Sequence, residues 1–214
     1  MPDPHIALLG DSIFDNATYT AGAPDVITHV RAGLPTSWRA SLLAVDGSTT
    51  QDLALQLERI ATDVTHIVVS IGGNDALLNS DVIDLPVSST AQALSIFGQR
   101  ADAFRSSYKN ALDAVLALNR RTIVCTIYEG NLEPGMATIA RVALMFFNDA
   151  ILRVAFERHL DVIDLRLVCN EASDYANPIE PSGGGGEKIA AAVLSATGAR
   201  EPADGSRVAG CRSP

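Results

Sequence analysis

The stretch HIALLGDSIF, residues 5–14, decides the fold. Four consecutive apolar residues, Ile6 to Leu9, are too few for a helix and do not alternate with polar ones, as expected of a strand covered on both faces. The run stops at Gly10-Asp11-Ser12, a turn-forming group that ends in a hydroxyl. Similar runs recur as SLLAVDG at 41–47, HIVVSIGG at 66–73, RTIVCTIY at 121–128 and LDVIDLR at 160–166. Between them the apolar spacing is helical at about 24–33, 51–62, 90–118, 137–158 and 184–197, with Asp25, Thr50 and Ser182 as helix-start signals. Strands that alternate with helices predict an α/β fold, a five-stranded parallel sheet between helical layers.

Composition is consistent with that architecture. The chain has 214 residues, 47% hydrophobic and 19% charged, enough for one well-cored domain. We place it at 1–198, followed by a polar, aperiodic tail at 199–214 that is expected to be loosely ordered. A net charge of -9 repels phosphate backbones and anionic lipid, which argues against nucleic acid as a partner. The first residues lack the features of a signal peptide and no apolar run approaches a membrane span, so a cytoplasmic protein with no membrane association is expected. The three cysteines, Cys125, Cys169 and Cys211, show no metal-ligand spacing, and Cys125 reads as core. The glycine run 183–186 lacks the Lys-Ser/Thr of a P-loop and reads as a flexible helix entry. No metal or cofactor is expected.

Ligands of an open parallel sheet bind beyond the carboxyl ends of its strands. The first three such loops carry Gly10-Asp11-Ser12, Asp46-Gly47-Ser48 and Gly72-Gly73-Asn74-Asp75. Together they supply a nucleophilic oxygen and the donors that hold the oxyanion of an acyl-transfer intermediate, namely the N–H groups of Ser12 and Gly47 and the Asn74 amide. Each also has a plain structural reading, as a turn cap, a positive-φ turn and an Asx turn. Their joint arrival at three consecutive strand ends favours the chemical one. Asp11, Ile13 and Phe14 beside the serine, Asp75 in the third loop, which can also orient that loop by hydrogen bonds, and Tyr128 after the fourth strand are candidates for shaping a substrate pocket.

GDSI at 10–13, the glycine of VDGSTT at 45–50 and GGND at 72–75 resemble, in order and spacing, the first three sequence blocks of the SGNH (GDSL-like) hydrolases. The resemblance runs from about residue 6 to 197. It implies a flavodoxin-like three-layer αβα sandwich and esterase, lipase or related acyl-hydrolase activity, with Ser12, Gly47 and Asn74 matching the family's Ser, Gly and Asn.

The fourth block departs from the pattern. Where the family reads Asp-x-x-His before a proline and a helix, this chain has Asn177-Pro178-Ile179-Glu180-Pro181, so Glu180 stands in place of the histidine. His5 and His66 begin strands and His159 immediately precedes one, all toward the amino edge of the sheet, and His29 falls near the end of a helix that runs back toward the same edge. Glu180 is then the best available base. An ordinary Glu is at a disadvantage to His of roughly 3 kcal/mol in proton affinity, which burial or neighbouring carboxylates can offset. The plain alternative is a surface carboxylate near the start of the last helix.

The leading expectation is a serine hydrolase acting on a small or medium ester through an acyl-enzyme on Ser12. A catalytically inactive ligand-binding protein on the same scaffold, an acyltransferase using the same serine, and a flavodoxin-like cofactor binder are the alternatives, the last disfavoured by the Ser-Gly-Asn set.

Overall fold

Five parallel strands, β1 (His5–Gly10), β2 (Arg39–Leu42), β3 (His66–Ser70), β4 (Arg121–Cys125) and β5 (Asp161–Ile163), lie in the order β2-β1-β3-β4-β5 in the computed structural model, which describes residues 3–200. Because strands alternate their side chains between faces, β1 sends Ile6 and Leu8 to one side and Ala7 and Leu9 to the other. The first side is covered by α1 (Val26–Gly33) and α7 (Gly183–Thr197), through Val26, Val30, Ile189 and Val193. The second is covered by α4 (Thr90–Leu116) and α5 (Pro134–Glu157), through Tyr108, Leu112, Ile151 and Val154. The protein is therefore a three-layer α/β sandwich with a separate apolar core on each face of the sheet.

Helix starts follow local chemistry. Asp25 caps α1 by accepting from the Thr28 N–H at 3.0 Å, and Ser182 caps α7 by accepting from the Gly185 N–H at 3.1 Å. At the second expected start, Thr49 and Asp52 form a capping box, so a 3-10 turn (Thr50–Asp52) precedes the short α2 (Leu53–Leu57). The expected second strand is displaced toward the amino end. Leu43 and Ala44 both donate to the Leu8 carbonyl, which breaks the ladder after Leu42 while the chain still runs beside β1. Two short helices, α3 (Gly73–Leu78) and α6 (Leu165–Val168), occupy stretches read as strand ends and loop. They are too brief to show helical periodicity.

The glycine run 183–186 is the first turn of α7 rather than a flexible entry. A side chain at Gly185 would place its Cβ 2.0 Å from the Asp174 carbonyl, so the missing Cβ lets the helix dock directly on that loop. Of the expected tail, residues 201–214, with Cys211, lie outside the described residues.

The lengths of α4 and α5 matter for the site. At 27 and 24 residues they greatly outreach strands of three to six. Their buried residues, Phe104 to Val115 and Phe147 to Ala155, fall in the carboxyl-terminal halves. Those halves cover the sheet. The amino-terminal halves extend past its carboxyl edge and stand beside the loops that follow β1, β3 and β4.

Candidate active site

The chain order reverses between β1 and β3, and the crevice where a doubly wound sheet binds its ligand opens there. Gly10 makes the turn out of β1. Its φ of 133° is open to glycine, and a Cβ would lie 1.7 Å from the Ser70 carbonyl oxygen. That close approach lets the Asp11 N–H donate to Ser70 at 3.1 Å and leaves Ser12 at the crevice, 8% exposed.

Glu180 reaches Ser12 from 168 residues away. The Ser12 hydroxyl Oγ donates to Glu180 Oε1 at 3.1 Å, and the carboxyl group, 7% exposed, has its second oxygen, Oε2, buried without a protein donor among the described residues. Its loop is held at nearly every backbone group. Asn177 Oδ1 accepts from the N–H groups of Ile179 and Glu180, both at 2.9 Å. The Tyr128 hydroxyl donates to the Ile179 carbonyl at 2.5 Å, and the Asn131 N–H donates to the Pro178 carbonyl at 2.8 Å. Gly130, with φ of 77°, permits that last approach, since a Cβ would come within 2.6 Å of the Pro178 oxygen. Glu180 is thus a fixed, buried group rather than a solvated helix-start carboxylate.

The second and third loops are tied to each other. Asn74 Nδ2 donates to the Ser48 carbonyl at 2.9 Å, which uses one of its two amide hydrogens. Asp75 accepts from the Thr50 N–H at 3.0 Å and from the Thr50 hydroxyl at 2.7 Å. With both oxygens engaged, Asp75 ties the third loop to the second by hydrogen bonds and does not line the cavity beside Ser12. Gly47 sits in an exposed turn with φ of 80°, next to the gripped Ser48 and outside the cavity wall. Gln56, buried in α2, accepts from the Gly10 N–H at 2.8 Å and donates to the Gly10 carbonyl at 2.7 Å and to the Ser48 hydroxyl at 3.2 Å. Sequence reading passed over it, although a glutamine between Leu53 and Leu57 on an inward stripe was a visible signal.

The histidines are elsewhere. His5 is buried against Asp63 and Ser41, at 3.2 and 2.7 Å, and His66 bonds Thr65 at 2.8 Å and packs on Trp38. Burial lowers the pKa of both, and Arg39 and Arg121 respectively add to the effect. Neither lines the crevice.

A cavity of about 230 Å³ opens beside Ser12, with Asp11, Ile13, Asn74, Tyr128 and Glu180 at its head. Its remaining wall is mostly apolar and comes from the chain after β3 and β4, from α3 and the following 3-10 turn (Ser80–Asp84), and from α4 and α5, chiefly their overreaching halves. Phe14, expected beside the pocket, is instead wholly buried in the core with α1.

Two carboxyl groups here are pushed toward neutrality. Burial raises Glu180 above its ordinary value; the Ser12 hydrogen bond opposes this and the Asp46 charge adds to it. Asp11 is pushed up to about 7, first by burial; its bond from the Ile13 N–H opposes this, and the charges of Glu180 and Asp75 raise it further. A carboxyl whose folded pKa exceeds its unfolded value costs stability once ionised. The penalty is absent below pH about 4, grows as pH rises and is complete above about 7. Asp11→Asn, which keeps an acceptor for Ile13, is therefore expected to be more stabilising at pH 8 than at pH 4.5, by on the order of 2–4 kcal/mol. Thermal unfolding at both pH values checks this, and a pH-independent difference would place the ionised form in a better-solvated setting.

A doubly wound parallel sheet with a buried serine–carboxylate pair at its switch point defines the class of protein. Residues 8–185 match the model of the GDSL-like lipase/acylhydrolase family, and the chain belongs to that family. No curated protein sequence matches it. Solved structures share the fold at low identity. The extracellular lipase of Streptomyces rimosus superposes with a TM-score of 0.66 at 15% identity, over 90% of this chain and 99% of that one. Phospholipase A1 of Streptomyces albidoflavus NA297 gives 0.67 at 15%, over 91% and 99%. The acetylxylan esterase of Geobacillus stearothermophilus gives 0.63 at 17%, over 92% and 97%. Among the described residues, no helix is long and apolar enough to cross a membrane.

Proposed function

We propose that the protein hydrolyses carboxylic esters through an acyl-enzyme on Ser12, with Glu180 as the base. The observation that carries this is the buried 3.1 Å hydrogen bond from the Ser12 hydroxyl to Glu180. Glu180 takes the Ser12 proton as Oγ attacks the ester carbonyl carbon. The resulting oxyanion is met by the N–H groups of Ser12 and Gly47 and by the second hydrogen of the Asn74 amide, whose first hydrogen is spent on Ser48. Collapse expels the alkoxide, which receives the proton from Glu180. Water then attacks the acyl-enzyme, giving its proton to Glu180, and the carboxylic acid leaves as Ser12 is reprotonated.

Environment supports a carboxylate in this role. An ordinary Glu is too weak a base at neutral pH, and the burial that raises the Glu180 pKa narrows the gap to histidine. Asn177 is the orienting neighbour, but it acts on the backbone of Ile179 and Glu180 and not on the carboxyl group. Bracing by Gln56, Thr50 and Asp75 supports pre-organised donors, which need little rearrangement when charge develops.

An organophosphonate should label the protein once, at Ser12, as read by intact mass and peptide mapping. A protein that turns over a p-nitrophenyl ester yet leaves Ser12 unlabelled would remove the serine from the mechanism.

A further inference from the structure

An ester has two arms, and the surroundings of Ser12 have two unlike sides. One is the apolar cavity. The other is a polar rim outside it, where the Tyr19 hydroxyl donates to Asp46 Oδ2 at 2.7 Å and the Asp46 N–H donates to Asp15 Oδ2 at 3.0 Å. Asp46 is exposed and close enough to Glu180 for its charge to act there.

The cavity is shaped by helical spacing. Met136, Ala140, Ala143, Leu144 and Phe147 fall on one stripe of α5, at intervals of three and four, and line the cavity together with Ile83 and Phe97. Ala140 and Ala143 leave the room, and Phe97 stacks on Phe146 with ring centres 5.2 Å apart. An apolar protein cavity of about 150 Å³ accepts a six-carbon ring. By proportion the cavity of about 230 Å³ takes about nine carbons.

We infer that this cavity holds the acyl arm, and that the substrate is an ester joining an apolar acid of about six to nine carbons to a polar alcohol that leaves past the rim. The inference rests on Ser12 acting as the nucleophile. The acyl group stays attached through both chemical steps and gains from an apolar site in each. The alcohol departs after the first step and needs an open, wet exit, which the rim provides.

The test uses the full chain with p-nitrophenyl esters from acetate to decanoate, and with acetates of lengthening alkyl alcohols. Wild-type kcat/KM should peak at about six to nine acyl carbons and vary little with alcohol length. Ala143→Phe should lower the octanoyl-to-acetyl ratio of kcat/KM at least tenfold, and Ala140→Leu provides a milder filling should the first variant fold poorly. Acetate as the best substrate, a ratio unmoved by filling, or a preference that follows the alcohol would each overturn the assignment. Binding of 2-nonanone, followed as a rise in Tm, separates this inference from the hydrolase reading. A Tm rise in wild type that filling removes, without any ester turnover, keeps the cavity and rejects the chemistry; turnover with no Tm rise, or with one that filling leaves intact, rejects the cavity.

Discussion

Replacing Ser12 by alanine will reduce ester hydrolysis by a factor on the order of 10⁴ or more, the scale seen when a nucleophile is removed from a pre-organised acyl-transfer site. The fold should survive. Ser12 is 8% exposed and its side chain makes one hydrogen bond, to Glu180. Its loss leaves both oxygens of the Glu180 carboxyl without a protein donor among the described residues but opens no core cavity. Donors that remain, the backbone N–H groups and the Asn74 amide, would still polarise a bound carbonyl and leave a small residual rate. Steady-state hydrolysis of a p-nitrophenyl ester, with unfolding followed on the same sample, decides the point. Wild-type activity in a folded Ser12→Ala protein would eliminate the acyl-enzyme.

Glu180→Gln will lower kcat/KM by about 10²–10⁴, the range that a positioned general base supplies. Glutamine retains the shape and an acceptor for the Ser12 hydroxyl but cannot take its proton. The pH profile carries more information than the rate alone. Glu180 must be ionised to accept a proton, so wild-type kcat/KM should rise with pH through an apparent pKa displaced upward from the ordinary Glu value, because burial disfavours the charge. That limb should vanish in Glu180→Gln. Asp11 is the competing carboxyl, pushed up to about 7 and also buried at the cavity head. A limb near pH 7 that persists in Glu180→Gln and disappears in Asp11→Asn would transfer the role of base to Asp11.

Much of the architecture was legible without coordinates because strands covered on both faces leave unbroken apolar runs. β1 was bounded at both ends by that pattern. The strands that follow were read too long at their carboxyl ends, where ladder geometry rather than residue type sets the limit. β2 ends at Leu42 because two N–H groups compete for one carbonyl of β1. β3 ends before Gly72, whose φ of 123° turns the chain into α3. The glycine run 183–186 reads as a flexible helix entry, since sequence cannot tell a glycine kept for freedom from one kept because a neighbouring backbone occupies the space of its Cβ.

The site divides the same way. That Ser12, Gly47 and Asn74 each follow a strand, at the edge where ligands bind, was legible because that placement is local. Whether a carboxylate 168 residues from Ser12 lies beside it is a matter of packing. So are the burial of Glu180 and the hold of the second loop on Asn74 and Asp75, through Ser48 and Thr50. The sequence by itself determined the order of strands and helices, the edge at which chemistry occurs and the absence of histidine from its usual place in the motif. Only the tertiary structure decided which acid meets the serine, in which direction burial shifts it and what cavity opens beside the pair, because those depend on the distances and dielectric created when segments remote in the chain exclude water together.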